Sequence, residues 1–193
     1  MAQVVAGLQT AAYGGPKSDL TPANRCKVDG GSDRAKCCTL GQKLQALCQA
    51  LVCLCGKDGA SSNSNSHCSL GNNAQFNTFA ATNVAAEYAA ADTKCMHVTI
   101  PSLTSHAVRS LAAELKALET AFADASGDKV VIGKAIVSTF CGAGVAAACI
   151  DLTAASASAG QQNKEIPWKT HLQTAADKLQ KIQEAKQRTA TAR

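Results

Sequence analysis

Ten cysteines give this 193-residue chain its most evident chemical potential. The even number permits full pairing, and several of the cysteines flank loops rather than lie within apolar stripes. A disulfide at such a position pins a loop to a helix end and removes entropy from the unfolded chain. We therefore predict disulfides, and the candidates are Cys26, Cys37, Cys38, Cys48, Cys53, Cys55, Cys68, Cys95, Cys141 and Cys149.

Metal binding is a second use of cysteine, but the spacing here does not favour it. Zinc sites combine a C-x2-C pair or a similar pair with matching ligands further along the chain. The close pairs in this sequence are Cys37-Cys38 and Cys53-x-Cys55, and no second matching pair follows them. The sequence predicts no metal and no cofactor, while an intracellular helical zinc-binding protein remains an alternative.

Catalytic arrangements are not evident in the sequence. A nucleophilic cysteine needs a nearby histidine and a third residue that orients it, and no local signature of that kind is present. The sequence also shows no phosphate-binding glycine loop, no G-x-S-x-G turn and no paired carboxylates on one helix face. We predict that the protein is not an enzyme.

The composition indicates which elements must position the cysteines. Alanine fills 38 positions, and aromatic residues make up only 4% of the chain. Such a composition favours closely packed helices and disfavours a β-sandwich. The fold class is therefore predicted to be mainly α.

Leucine spacing predicts the first helix, from Cys37 to Cys55. Its apolar stripe has residues at alternating spacings of four and three, which is the helical pattern. Gly56 would end the run. The stripe consists of Leu40, Leu44, Leu47, Leu51 and Leu54.

Further helices are predicted along the rest of the chain. A weaker one covers residues 74–91, and a clean seam follows it at Val108, Leu111, Leu115, Leu118 and Phe122. The segment 130–140 is compatible with either a strand or a buried helix. The last helix begins at Ile166-Pro167-Trp168, with proline in its first turn, and its stripe is Trp168, Leu172, Ala175, Leu179 and Ile182.

These elements predict an elongated helical bundle with antiparallel helices and disulfide-pinned loops over residues 37–193. Residues 1–36, which contain several glycine and proline breaks, are predicted to be a loop-rich N-terminal segment. A polar low-complexity loop should form an exposed tip. Its central residues are Ser61, Ser62, Asn63, Ser64, Asn65 and Ser66.

Charge and chain ends restrict the partners. The net charge of +5 is spread along the sequence, and the basic residues of the last thirty positions alternate with acids. This pattern is typical of a solvated helix face rather than of a nucleic-acid site. Neither a signal peptide nor a run of eighteen apolar residues nor a GPI signal is visible. These ends do not explain how so many cysteines would reach an oxidising compartment.

An ordered set of motifs extends over the later part of the chain. The set begins with the segment 47–56, whose cysteines alternate with leucine, and continues through a polar loop to Cys68 and an alanine-rich stretch to Cys95. The segment 98–104 then precedes a helix, a glycine- and alanine-rich stretch carries Cys141 and Cys149, and Ile166-Pro167-Trp168 opens the terminal helix. This ordered set, over roughly residues 37–188, resembles the B-type N-terminal domain of trypanosome variant surface glycoproteins.

The resemblance implies a cell-surface coat protein on the outer face of the plasma membrane. Such a protein shields the parasite membrane, and switching among variants evades host antibodies, which would be its main partners. Helix seams could also join copies into a homo-oligomer, and membrane attachment would depend on a lipid anchor not encoded in this chain. We expect the chain to be the later part of a longer ectodomain. A ligand-binding surface receptor of the same helical superfamily is the alternative.

Overall fold

The computed structural model describes residues 1–16, 21, 25–26, 34–40, 44–55, 81–93, 103–124, 127–135, 141, 148–155 and 165–191. These residues are mostly helical, and a small antiparallel sheet accompanies the helices. The helices are α1 (Ala2–Tyr13), α2 (Arg34–Cys37), α3 (Leu47–Cys55), α4 (Ala81–Asp92), α5 (Ser105–Ala117) and α6 (Pro167–Thr191). The strands are β1 (Thr120–Asp124), β2 (Gly127–Lys134) and β3 (Ala148–Asp151), and a 3-10 turn, Thr153–Ala155, follows them.

Helix α6 is the longest element and has the periodicity that the sequence predicts. It spans 25 residues and begins at Pro167, whose fixed φ suits a first helical position. Its buried residues are Trp168, Leu172, Ala175, Ala176 and Leu179, while Ile182 packs against the core from a partly buried position. The basic residues Lys169, Lys181, Lys186 and Arg188 of the same helix are exposed.

Helix α1 packs along α6, and the expectation of a loop-like N-terminus is wrong for Ala2–Tyr13. Small residues allow the two helices to approach closely, since a Cβ added at Gly7 would lie 3.7 Å from the Cβ of Ala175. Val4 and Ala11 are buried on the same side. The helix ends at Gly14, whose φ of 79° is left-handed and whose N–H donates to the carbonyl of Thr10.

Helix α5 packs on another side of α6. Its N-cap is Thr104, whose hydroxyl accepts a hydrogen bond from the Ala107 N–H at 3.1 Å. Arg109 donates to the Asp177 carboxylate and to the Gln180 side-chain oxygen, both at 2.8 Å. Both partners of the ion pair are largely exposed, so the pair contributes little to stability.

The predicted seam of α5 divides in two in the structure. Val108 is buried and Leu115 packs against the core, whereas Leu111 and Leu118 are 43% and 56% exposed. The helix ends at Ala117, so the expectation that Phe122 continues it is wrong. Phe122 lies in β1, pairs with Lys129 of β2, and packs against a small cluster at the sheet.

The sheet has the strand order β1-β2-β3, and both pairs are antiparallel. Its middle strand, β2, resolves the choice that the sequence left open at its Val130-Val131-Ile132 run in favour of a strand. The outer edge of β3 accepts a further short segment. The Leu40 N–H donates to the Asp151 carbonyl at 2.9 Å, and the Asp151 N–H donates to the Cys38 carbonyl at 2.8 Å.

This pairing explains why the predicted helix from Cys37 to Cys55 is interrupted. The structure places only Arg34–Cys37 and Leu47–Cys55 in helices, although Leu40 and Leu44 are buried as expected. A disulfide joins Cys38 and Cys53, which are 15 positions apart. In one continuous helix these residues would lie about 22 Å apart along the axis. A disulfide requires Cα atoms within about 7 Å, so the helix must break between them.

Helix α4 confirms the C-terminal part of the helix predicted over 74–91, and residues 74–80 lie outside the described residues. It contacts α3, the last residue of α1 and the segment that follows α1. Asp92 pairs with Arg25 at 2.8 Å and accepts a hydrogen bond from the Tyr88 hydroxyl at 3.2 Å. The ring of Tyr88 meets that of Tyr13 edge to face, with centroids 6.1 Å apart. Burial is the largest cause that raises the pKa of the Tyr88 phenol, and the neighbouring Tyr13 and Asp92 raise it further.

Gly7 of α1 and Gly14, which directly follows α1, give a matched test of the packing of α1 on α6 and of the way α1 ends. We expect Gly7→Ala to raise the free energy of unfolding by about 0.5–1 kcal/mol, because alanine is the better helix former and its Cβ would make only ordinary contacts. We expect Gly14→Ala to lower it by about 1 kcal/mol, because a Cβ disfavours the left-handed conformation. Urea unfolding monitored by circular dichroism measures both changes. Destabilisation by Gly7→Ala would contradict the described contact between α1 and α6.

Candidate functional site

Helix α3 carries cysteines that connect it covalently to other segments. Cys48 is joined to Cys26, and Cys53 is joined to Cys38. Cys55 is also disulfide-bonded. All of these side chains are buried, so the disulfides are part of the core.

A further disulfide lies at the sheet. It joins Cys141 to Cys149 of β3 across eight positions. Both cysteines are buried beside Val131, with Phe122 and Ala135 packed around them. This disulfide therefore closes the segment that leads into β3.

Gln49 is a polar side chain of α3 that lies beside Cys37, and none of its surface is exposed. Its Oε1 accepts hydrogen bonds from the N–H groups of Gln45, at 2.8 Å, and Ala46, at 3.2 Å. Since α3 begins at Leu47, Gln49 is its third residue and reaches back to the capping position, as in a capping box. Its Nε2 then donates to the Cys37 sulfur at 3.7 Å.

Cys37 differs from its sequence-based assignment as a disulfide candidate, because the structure holds it as a buried thiol. Its sulfur, with those of Cys38 and Cys53, forms a cluster in which all three lie within 4.8 Å of one another. Metal ions bind thiolates, and two of these three sulfurs are bonded to each other. The geometry therefore favours a disulfide centre here over the zinc site of the intracellular alternative.

Comparison with known proteins adds the decisive observation. A family model described as the trypanosomal VSG domain, the variant surface glycoprotein domain, matches residues 1–193. The chain belongs to this family. A search of curated proteins finds no match.

Membership of the VSG family indicates a surface coat protein. The family is a structural one, and its members are not known as enzymes. Among the helices of the described residues, none is long and apolar enough to cross a membrane. The loop predicted to be antigenic in this VSG domain, residues 61–66, lies outside the described residues, as do Cys68 and Cys95.

A surface cleft of the VSG domain lies where α5, β2 and the start of α6 meet. Its volume is about 520 Å³, and Ile166 and Leu152 contribute apolar surface to it. Charged groups flank it. Lys116 pairs with Glu119 at 2.7 Å, and Glu165 accepts a hydrogen bond from the Thr170 hydroxyl at 3.1 Å. No sequence pattern indicates this cleft, because its residues come from separate elements.

Sequence reasoning also missed Gln49. The signal was present, since a glutamine three residues after a helix-capping position is half of a capping box. The leucine stripe obscures this signal, because it predicts that the helix begins at Cys37, ten residues before Leu47.

Replacing Gln49 tests whether its buried hydrogen bonds stabilise the fold. We expect Gln49→Ala to lower the free energy of unfolding by about 1–3 kcal/mol, because it leaves the buried Ala46 N–H without its acceptor. Gln187→Ala, at an exposed position of α6, is the control and should change stability by less than about 0.5 kcal/mol. Denaturant unfolding with the disulfides intact measures both. Equal stability of the two variants would show that the described contacts of Gln49 do not stabilise the fold.

Proposed function

We propose that this protein is a coat protein that shields the parasite membrane and, by antigenic variation, evades host antibodies. The observation that carries the proposal is the match of the VSG family model to the whole chain. In this function the protein acts by steric exclusion and by the identity of its exposed surface. No substrate or cofactor takes part.

The fold supports a steric role. A coat molecule needs a stable body, and α6 provides one long helix on which α1 and α5 both pack. Helix α3 and the segments around it do not pack along a long helix in this way, and disulfides hold them in place instead. Together with the antiparallel arrangement that the sequence predicts, this supports an elongated, rod-like domain.

Host antibodies are the proposed partners, and the loop from Ser61 to Ser66 is the proposed antigenic tip. Its small polar residues contribute nothing to a core, so substitutions there would alter the surface at little cost in stability. Attachment through a GPI anchor is proposed from the family alone.

Self-association is proposed through the outer face of α5. Leu111 and Leu118 are seven positions apart, which places them on one side of the helix, and Leu103 precedes the helix. These three side chains are large, apolar and 39–56% exposed. A second copy that covered these three side chains would remove their apolar surface from water.

Live-cell labelling of the parasite tests the coat assignment. We expect an antibody raised against this chain to label intact, non-permeabilised cells that express the protein, uniformly and over the whole surface. Phosphatidylinositol-specific phospholipase C should release the label if a GPI anchor holds it. An antibody against an internal protein is the control for cell integrity, and serum from one variant should not label cells that express another.

Two outcomes would contradict the proposal. Labelling only after permeabilisation would exclude the surface. Labelling restricted to few copies in one membrane region would favour the receptor alternative, for which the cleft near Ile166 is the specific supporting observation.

The α5 face has its own test. We expect Leu111→Glu with Leu118→Glu to weaken self-association by at least about tenfold, because each charge would have to be buried in the contact. Ala113→Glu with Ala117→Glu is the matched control, since both alanines are exposed but lie on a different side of the same helix. Analytical ultracentrifugation over a concentration series measures the dissociation constants. A monomeric native chain at high concentration would contradict the proposal, as would equal weakening by the two pairs.

A further inference from the structure

The cluster around Cys37 combines a thiol with a disulfide. The sulfurs of Cys37, Cys38 and Cys53 lie within 4.8 Å of one another, and all three side chains are buried. A thiolate exchanges with a disulfide by attacking one of its sulfurs, so closeness is the first requirement. Within the described part of the chain, this is the one group of three or more potential ligand residues that come so close.

We propose that Cys37 exchanges with the Cys38–Cys53 disulfide, so that the chain has two disulfide isomers. In the described isomer Cys38 is bonded to Cys53, and in the second Cys37 is bonded to Cys53 and Cys38 is the thiol. The proposal rests on the geometry of this cluster and is independent of the coat function.

The exchange needs no oxidant. The Cys37 thiol loses its proton, and its sulfur attacks the Cys53 sulfur. A new bond forms between these two atoms as the bond between Cys53 and Cys38 breaks. The electron pair of the broken bond stays on the Cys38 sulfur, which takes up a proton. One thiol and one disulfide are present before and after.

Gln49 supports the step at the attacking atom. Its Nε2 donates to the Cys37 sulfur at 3.7 Å, and its Oε1 is held by the N–H groups of Gln45 and Ala46. Those two bonds fix the direction of the amide, so the NH2 group faces the sulfur. A hydrogen-bond donor in that position favours the charged thiolate over the neutral thiol.

The exchange would move the covalent attachment of α3 by one residue. Cys38 belongs to the segment that pairs with β3, through the bond from the Asp151 N–H to its carbonyl. Cys37 is the last residue of α2. One isomer therefore ties α3 to the edge of the sheet, and the other ties it to the end of a helix.

Differential alkylation of the full, oxidised chain tests the proposal. Samples kept at pH 5 and at pH 8.5 are quenched in acid and denatured, and light N-ethylmaleimide then labels the thiols. After reduction, heavy N-ethylmaleimide labels the former disulfide cysteines. Trypsin releases the peptide 37–43, since Lys36 precedes it and Lys43 ends it. Its fragment ions distinguish a label on Cys37 from one on Cys38.

We expect light label only on Cys37 at pH 5 and on both cysteines after incubation at pH 8.5, because the thiolate is the attacking species. The gain at Cys38 should equal the loss at Cys37. Its rate should stay the same over a hundredfold dilution, as an intramolecular step requires. Light label that stays confined to Cys37 would overturn the proposal, and so would a rate that falls on dilution.

A pair of single variants checks that the Cys37 sulfur reaches Cys53. We expect Cys38→Ser to keep Cys53 in a disulfide, now with Cys37, so that Cys53 takes heavy label. The control is Cys26→Ser, because the Cys26–Cys48 disulfide is not part of a three-sulfur cluster among the described residues. There Cys48 should take light label. Light label on Cys53 in folded Cys38→Ser would contradict the proposal, and the wild-type experiment decides it if that variant does not fold.

Discussion

The covalent attachment of α3 is the constraint on which much of the structure depends. This helix has nine residues, too few to be stable by itself in water. Its disulfides to Cys26 and Cys38 connect it to two segments that precede it in the chain. In the chain-entropy picture each such link stabilises the fold by about 3 kcal/mol through its effect on the unfolded state. Gln49 completes the attachment by satisfying the N–H groups at the start of the helix.

Helices α1, α5 and α6 are held together by side-chain packing rather than by disulfides. They pack through small and aliphatic side chains, and Ala175 and Ala176 are buried where the helices meet. Alanine permits close approach and loses no side-chain entropy on burial. Both groups of elements share one hydrophobic core, in which Trp168 and Leu152 lie together with Cys48 and Cys53 of α3. A coat function suits this combination, because it requires a stable body and leaves the exposed residues to vary.

Some of this architecture can be predicted from the sequence, and the successes follow from periodicity. The stripe from Trp168 to Ile182 predicts α6, and the first part of the seam, from Val108 to Leu115, predicts α5. Periodicity failed where non-local contacts decide the structure. The stripe from Leu40 to Leu54 is helical in pattern, but pairing with β3 and the Cys38–Cys53 disulfide interrupt it. At Phe122, strand pairing with Lys129 likewise replaced the helix.

Other features depend on partners that a linear pattern does not reveal. Helix α1 has a weak stripe, and its burial depends on α6, more than 150 positions later. The disulfide pairing could not be read from ten cysteines, since spacing alone leaves many connectivities open. The thiol at Cys37, one residue from a disulfide cysteine, could be distinguished from its neighbour only by geometry.

Hydrogen exchange before and after reduction tests the central claim most directly. The claim is that the disulfides of α3 hold the segment 38–40 against β3. The amides of Leu40 and Asp151 report on that pairing, since each donates across it. The account predicts that reduction and alkylation of the disulfides strongly reduce the protection of both amides. Unchanged protection of Leu40 and Asp151 in the reduced chain would contradict it.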